Sequence, residues 1–242
     1  MLTSLFIHSI KDLQMAALTG GRTGLEPALV QYQVELCLQQ GEIYVAGQDN
    51  NVDAVLLAYA PGQDTLERPH DFHVVRSSSS PLPGPLSDYL SKLSPEMQQW
   101  WTAHVCCFPL PHISILANAL RSTLKFQPKF SELTNMALGS QEGRKAAWYI
   151  KTIAVHPDKQ RSGIARQLLE TVLKKANASG RKACLEVNND SMVRFFSKFG
   201  FRVRATKNFG SYQGGFILFL MTKDPARYPA VVVDITVLVT IF

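Results

Sequence analysis

The chain has 242 residues, 46% of them hydrophobic, with 25 Lys+Arg against 19 Asp+Glu. That length allows one large domain or two small ones, and the apolar share is that of a globular protein, which excludes wholesale disorder. Gly numbers only 15 and no heptad persists, so collagen-like and coiled-coil rods are excluded as well.

The cysteines, Cys37, Cys106, Cys107 and Cys184, form no Cys-x-x-Cys pair and no metal-ligand spacing. They read as reduced thiols, and no metal is expected. The longest apolar run, Ala230 to Phe242, is interrupted by Asp234 and falls short of the ~20 residues a spanning helix needs. Met1 to Ile10 has neither a basic leader nor a long apolar core. The expectation is a cytoplasmic protein with no signal peptide and no membrane contact.

Charge is unevenly spread. Residues 1–139 hold 8 Lys+Arg and 12 Asp+Glu, whereas residues 140–224 hold 16 Lys+Arg and 6 Asp+Glu. The basic half attracts anions, and nucleic acid, anionic lipid, a phosphorylated cofactor or plain solvation all fit it. It carries no recognised nucleic-acid motif and its basic residues flank the loop described below, so no nucleic-acid partner is expected.

Taken in chain order, Glu26 to Gln40 has helix-like apolar spacing, with Pro27 in the first turn and Gly41 as its stop. Glu42–Gly47 and Asp53–Tyr59 read as a hairpin. Arg76 to Pro85 is a loop by composition, and Leu86 to His104 reads as a helix ending near Trp100-Trp101. Val105 to Lys125 matches no element. Trp148 to Val155 is a strand, Ser162 to Asn177 an amphipathic helix with Leu168, Leu169, Val172 and Leu173 inward, and Ala183 to Val187 a short strand. Ser191 to Phe199 reads as a short helix and Phe216 to Thr222 as a last strand, an alternation of the α/β class.

The chemistry concentrates in Ile153-Ala154-Val155-His156-Pro157-Asp158-Lys159-Gln160-Arg161-Ser162-Gly163-Ile164-Ala165. A strand ends at Val155, Pro157 forbids further pairing, and a helix opens near Ser162. Such a loop aims several backbone N–H groups at one spot, where the helix dipole adds roughly half a positive charge. Gly163 removes a Cβ from that spot, while Lys159, Arg161 and Arg166 bring full charges. By physics alone this is a pyrophosphate cradle, although many glycine turns before helices bind nothing.

Gln160-x-x-Gly163-x-Ala165, followed by Leu185-Glu186-Val187-Asn188-Asn189 and Phe195-Phe196-Ser197-Lys198-Phe199-Gly200-Phe201, resembles the GNAT superfamily of acetyltransferases. Asn189 and Phe196 fall at that pattern's Asn and Tyr positions. The remainder, over about 14–104 and 126–224, looks most similar to fungal GNAT-type proteins and to puromycin N-acetyltransferase. The resemblance implies a single domain over residues 1–242 with a mixed central sheet and helices on both faces. Its cofactor-binding half is 146–224. It also implies acetyl transfer from acetyl-CoA, as co-substrate, to a small-molecule primary amine, by a monomer or homodimer.

On the same grounds Ile153, Ala154 and Val155 would pair with the pantetheine amides. Gln160, Arg161, Ser162, Gly163, Ile164 and Ala165 would hold the pyrophosphate, and Asn189 and Phe196 would line the cofactor arm. Glu186 is the candidate base or water relay, the alternative being a simple ion pair with Lys151 or Arg181. Phe196 has no proton to give, so Tyr212 or a water acts as acid, or the thiolate leaves unprotonated, or the chain catalyses poorly. His156 reads as a solvated loop residue, and Trp100-Trp101 as either acceptor wall or packing. Against the family's pattern the first strand reads as missing or cut short, 105–125 as an insertion and 225–242 as an extra tail.

Overall fold

The computed structural model describes residues 14, 18–19, 21–48, 51–63, 89, 91–98, 126–210 and 215–226. The presumed insertion at 105–125, Trp100-Trp101, Tyr212 and the tail past residue 226 lie outside the described residues. Among the described residues, helix α1 spans Glu26–Gln40, strand β1 Glu42–Ala46 and β2 Ala54–Tyr59. Helices α2 (Phe126–Leu138) and α3 (Gln141–Lys145) lead into β3 (Trp148–Val155). Then follow α4 (Ile164–Ala178), β4 (Ala183–Val187), α5 (Asp190–Ser197), β5 (Arg202–Phe209) and β6 (Phe216–Lys223).

The six strands form one mixed sheet in the order β1-β2-β3-β4-β6-β5. All neighbours are antiparallel except β3 and β4, which the helix α4 joins as a parallel crossover. Every residue of β2 is buried, as expected for an Ala-Val-Leu-Leu-Ala-Tyr strand covered on both faces. One face packs Val30, Val34 and Cys37 of α1 and Leu133 of α2 against Val55, Leu57, Tyr149, Cys184 and Leu218. The other packs Leu169, Val172 and Leu173 of α4 and Phe196 of α5 against Leu56, Ile150, Leu185 and Met221. Helices on both faces of a mixed sheet is the α/β class expected from the sequence.

Gly41 ends α1 through close approach rather than an unusual backbone angle. Its φ is −125°, and a Cβ there would meet the Ala58 carbonyl oxygen and Cys37 Sγ, each at 2.7 Å. Three elements depart from the sequence reading. Arg202–Phe209 is a strand although its Arg, Lys, Thr and Asn residues hide any alternation; it is a sheet edge, burying Ala205 and Phe209. Charge on an edge strand discourages pairing with another chain. The helices α2 and α3 lie in a stretch that gave no element from sequence, and α2 is held to β5 by Lys207–Glu132 and by Lys129 donating to the Asn208 carbonyl at 3.2 Å.

Candidate functional site

The strands β3 and β4 run parallel through only three registered pairs, Trp148–Ala183, Tyr149–Cys184 and Ile150–Leu185. Both then continue without each other. β3 keeps pairing with β2 up to Val155 opposite Ala54, and β4 with β6 up to Val187 opposite Phe219. A register shift explains the parting: Leu57 faces Thr152 while Ala58 faces Ile150, so Lys151 is an extra residue bulged out of the ladder. Bulges bend a strand and sharpen its twist. The result is a V whose arms are Lys151–Val155 and Glu186–Val187. Backbone groups of Ile153–Val155 that do not face β2 are turned into it.

The mouth of the V is the loop into α4. His156 Nδ1 accepts from the Asp158 N–H at 3.3 Å and caps a short 3-10 turn over Pro157–Lys159. His156 is thus a half-exposed loop residue with a capping job. Ser162 Oγ donates to the Lys159 carbonyl at 2.5 Å, tightening the loop. Arg161 (φ 64°) and Gly163 (φ 89°) both take left-handed conformations. Gly163 is the residue before α4, and a Cβ there would meet nothing within 4 Å. The glycine is therefore demanded by its backbone angle, and the space beside it is open. The first N–H groups of α4 have no partner within the helix and point at that space, the geometry of an anion cradle. Gln160, Arg161, Ser162 and Gly163 are exposed and Ile164 and Ala165 half-buried, so the predicted cradle residues come together at one helix start.

At the apex of the V sits a polar cluster on the α1/α2 face. The Tyr149 hydroxyl donates to Glu186 Oε2 at 2.5 Å. Burial first, then the negative charge of Glu186, hold the Tyr149 hydroxyl well above the ordinary tyrosine range, so it is a donor here. The Arg144 guanidinium lies over the Tyr149 ring at 4.4 Å and the Phe130 ring at 5.1 Å. α3 places that arginine, and its start is fixed by Ser140, whose hydroxyl accepts from the Gly143 N–H at 3.1 Å. Lys151 Nζ lies 5.9 Å from the Tyr149 ring centre. Burial pushes the Lys151 ammonium below the usual lysine range, with Glu186 pulling it up and Arg144 adding to the fall. Cys184 is buried beside them with its thiol pushed far up, which leaves it inert.

Glu186 stands at the V, hydrogen-bonded to a tyrosine that the sequence reading did not single out. Lys151, read there only as an ion-pair alternative, faces it from the other arm; Arg181 lies ahead of β4, at the strand's far end. Both strands place a charged residue one step past the same pair, a relation that only the register reveals. Asn189 is the N-cap of α5: its Oδ1 accepts from the Met192 N–H at 2.9 Å and the Ser191 hydroxyl at 2.6 Å. Phe196 is 3% exposed and packs edge-on to Phe195 and Phe201, a core ring at the end of α5. Tyr212 lies outside the described residues.

The fold is a mixed α/β sheet whose one parallel pair parts into a V. Residues 132–203 match the sequence profile described as the acetyltransferase (GNAT) domain, which takes in β3, the loop, α4, β4 and α5. Over that stretch the chain is similar in sequence to that profile. No curated protein sequence matches the chain significantly. Among solved structures, the ribosomal-protein-S18-alanine N-acetyltransferase from Escherichia coli is similar at 23% identity and TM-score 0.31, covering 36% of this chain and 59% of that one. A Corynebacterium glutamicum protein described as histone acetyltransferase HPA2 and related acetyltransferase is similar at 15% identity and TM-score 0.48. That match covers 95% of this chain and 90% of that one. Among the described residues no His/Cys/Asp/Glu group gathers as a metal site, and no helix is long and apolar enough to cross a membrane.

Proposed function

We propose that this chain is an N-acetyltransferase that moves the acetyl group of acetyl-CoA directly onto a primary amine of a small molecule. The observation that carries the reading is the parting of β3 from β4 after Ile150 and Leu185, with the left-handed Arg161–Gly163 turn opening α4 at its mouth. A slot with free backbone groups that ends at a helix N-terminus suits a chain of amides ending in a pyrophosphate. The match over residues 132–203 supports the same reading.

Bound acetyl-CoA supplies a thioester carbonyl, an acyl group already activated. Ile153–Val155 bind and orient the arm through backbone hydrogen bonds. Residues 160–165 hold the pyrophosphate, with Lys159, Arg161 and Arg166 around it. Asn189 and Phe196 stand at the far arm, the first as a helix cap and the second as the ring that keeps α5 packed. Glu186 takes the proton from the attacking amine, its carboxylate held in place by Tyr149. The acceptor is a small amine rather than nucleic acid or membrane, the protein works as monomer or homodimer, and its place is the cytoplasm. Kinship with fungal GNAT-type proteins and puromycin N-acetyltransferase rests on sequence resemblance alone.

The second reading is a CoA-binding protein that catalyses weakly or not at all. Phe196 favours it, because the ring at that position has no proton to give. Release of free thiol from acetyl-CoA in the presence of a panel of primary amines separates the two. Amine-dependent release supports the enzyme. Tight binding without release under every amine supports the binder.

A further inference from the structure

Lys151 and Glu186 are the first residues of β3 and β4 beyond their last shared pair, Ile150 opposite Leu185. They flank the apex of the V from its two arms. Lys151 is also the bulged residue opposite Leu57 and Ala58, with no registered partner on either neighbouring strand. Resting on the acetyl-CoA reading above, the arm that enters over Ile153–Val155 brings its sulfur to this apex. We propose that Lys151 is the general acid of the reaction, giving its proton to the departing thiolate while Glu186 takes the proton of the amine.

The proton count closes. A neutral amine forms its C–N bond to the thioester carbonyl, and the C–S bond breaks with its electron pair passing to sulfur. The nitrogen's proton goes to the Glu186 carboxylate, and a Lys151 N–H proton goes to sulfur, leaving a thiol and a neutral lysine. Glu186 then returns its proton across the apex to Lys151. Products are the amide and the free thiol, and both side chains are restored.

The surroundings suit this use of a lysine. The groups that face Lys151 are Glu186 on β4, the Arg144 guanidinium on α3 and the Tyr149 ring on its own strand. Loss of water around the ammonium lowers its pKa from the usual lysine value, which makes it a readier proton donor than a solvated lysine. Phe196 cannot do this work, and Cys184 is too deeply buried and too basic.

The test uses the full chain and hydroxylamine as acceptor, since its nitrogen is already a free base at neutral pH and its own titration leaves the alkaline limb clear. Wild type is set beside Lys151→Arg, which keeps the charge but cannot release a proton, and Lys151→Met. Expected is a fall in kcat of about 10²-fold or more in both variants, with the alkaline limb of the wild-type pH profile gone and acetyl-CoA affinity unchanged in Lys151→Arg. A second readout needs no turnover: coenzyme A should cut acetic anhydride labelling of Lys151 several-fold, read by mass spectrometry, while exposed Lys182 labels as before. Full turnover in Lys151→Arg, a persisting alkaline limb in Lys151→Met, or unprotected Lys151 overturns the acid role. So does acetyl-CoA binding by wild type without thiol release. No acetyl-CoA binding by folded wild type overturns the cofactor reading itself, and the acid role with it.

Discussion

The Tyr149 hydroxyl reaches across from β3 to β4 and donates a 2.5 Å hydrogen bond to the carboxylate of Glu186. Tyr149 is 3% exposed, braced by Arg144 on its ring face and by Tyr59, whose ring centre is 6.2 Å away. The hydrogen bond fixes the direction in which Glu186 presents its free oxygen. Tyr149→Phe should cost about 1–3 kcal/mol in urea unfolding, because it strands a charged acceptor without adding space. It should also lower kcat more than it raises KM, since a wandering carboxylate spoils the transferring geometry rather than binding. Unchanged stability would mean that this contact contributes nothing.

Gly163 and Gly41 separate two reasons for a glycine. Gly163→Ala meets open space but must hold φ near 89°, a strain of about 1–2 kcal/mol. Its stability loss should be small and its acetyl-CoA affinity reduced. Gly41→Ala drives a Cβ into the Ala58 carbonyl and the Cys37 sulfur, so overpacking should cost about 1–3 kcal/mol or more, with affinity intact. Paired unfolding and binding curves check both.

Asn189 was expected along the cofactor arm, and its oxygen caps α5. Asn189→Ala should lose about 0.5–2 kcal/mol of stability, and Asn189→Asp should keep most of it because a carboxylate caps equally well. If thermal unfolding shows Ala and Asp alike, the cap is not what this residue is for.

The ion pair between Lys175 of α4 and Glu42 of β1, at 2.7 Å, ties the crossover helix to the sheet edge. Burial raises the Glu42 carboxyl, but hydrogen bonds from Lys175 and Tyr44 outweigh it and hold it below the ordinary range. The hydrogen bond to Glu42, then that to Tyr44, pushes Lys175 up to about 12. For Glu42 the folded pKa is the lower one, so its contribution is present above the unfolded value and lost as pH falls through the folded value. For Lys175 it is the higher one, so its contribution is full below the unfolded value and lost as pH rises through about 12. Both side chains are part-exposed, so Glu42→Gln should cost about 1 kcal/mol or less at neutral pH. That difference should vanish in strong acid, as denaturant curves at several pH values would show.

Legibility followed burial. Trp148–Val155 and Ala183–Val187 are read from sequence to the residue because they are central strands whose apolar side chains announce them. The edge strand Arg202–Phe209 is masked by its own charges, and α2 sits beside the unassigned stretch before it. The loop Gln160–Gly163 is legible through proline, glycine and the helix that follows. The apex is not: Lys151 reaches its place through a bulge, and Tyr149 meets Glu186 only because two distant strands pair in one register. Neither relation leaves a mark in local spacing.

The central claim is that the V between β3 and β4, with the Arg161–Gly163 turn, is an acetyl-CoA site. Calorimetric titration of the full chain with acetyl-CoA, wild type beside Gly163→Trp, tests it most directly. The account predicts saturable one-site binding by wild type and its loss in the folded variant, whose indole fills the open space at the start of α4. Equal binding by both proteins, or none by a folded wild type, would contradict it.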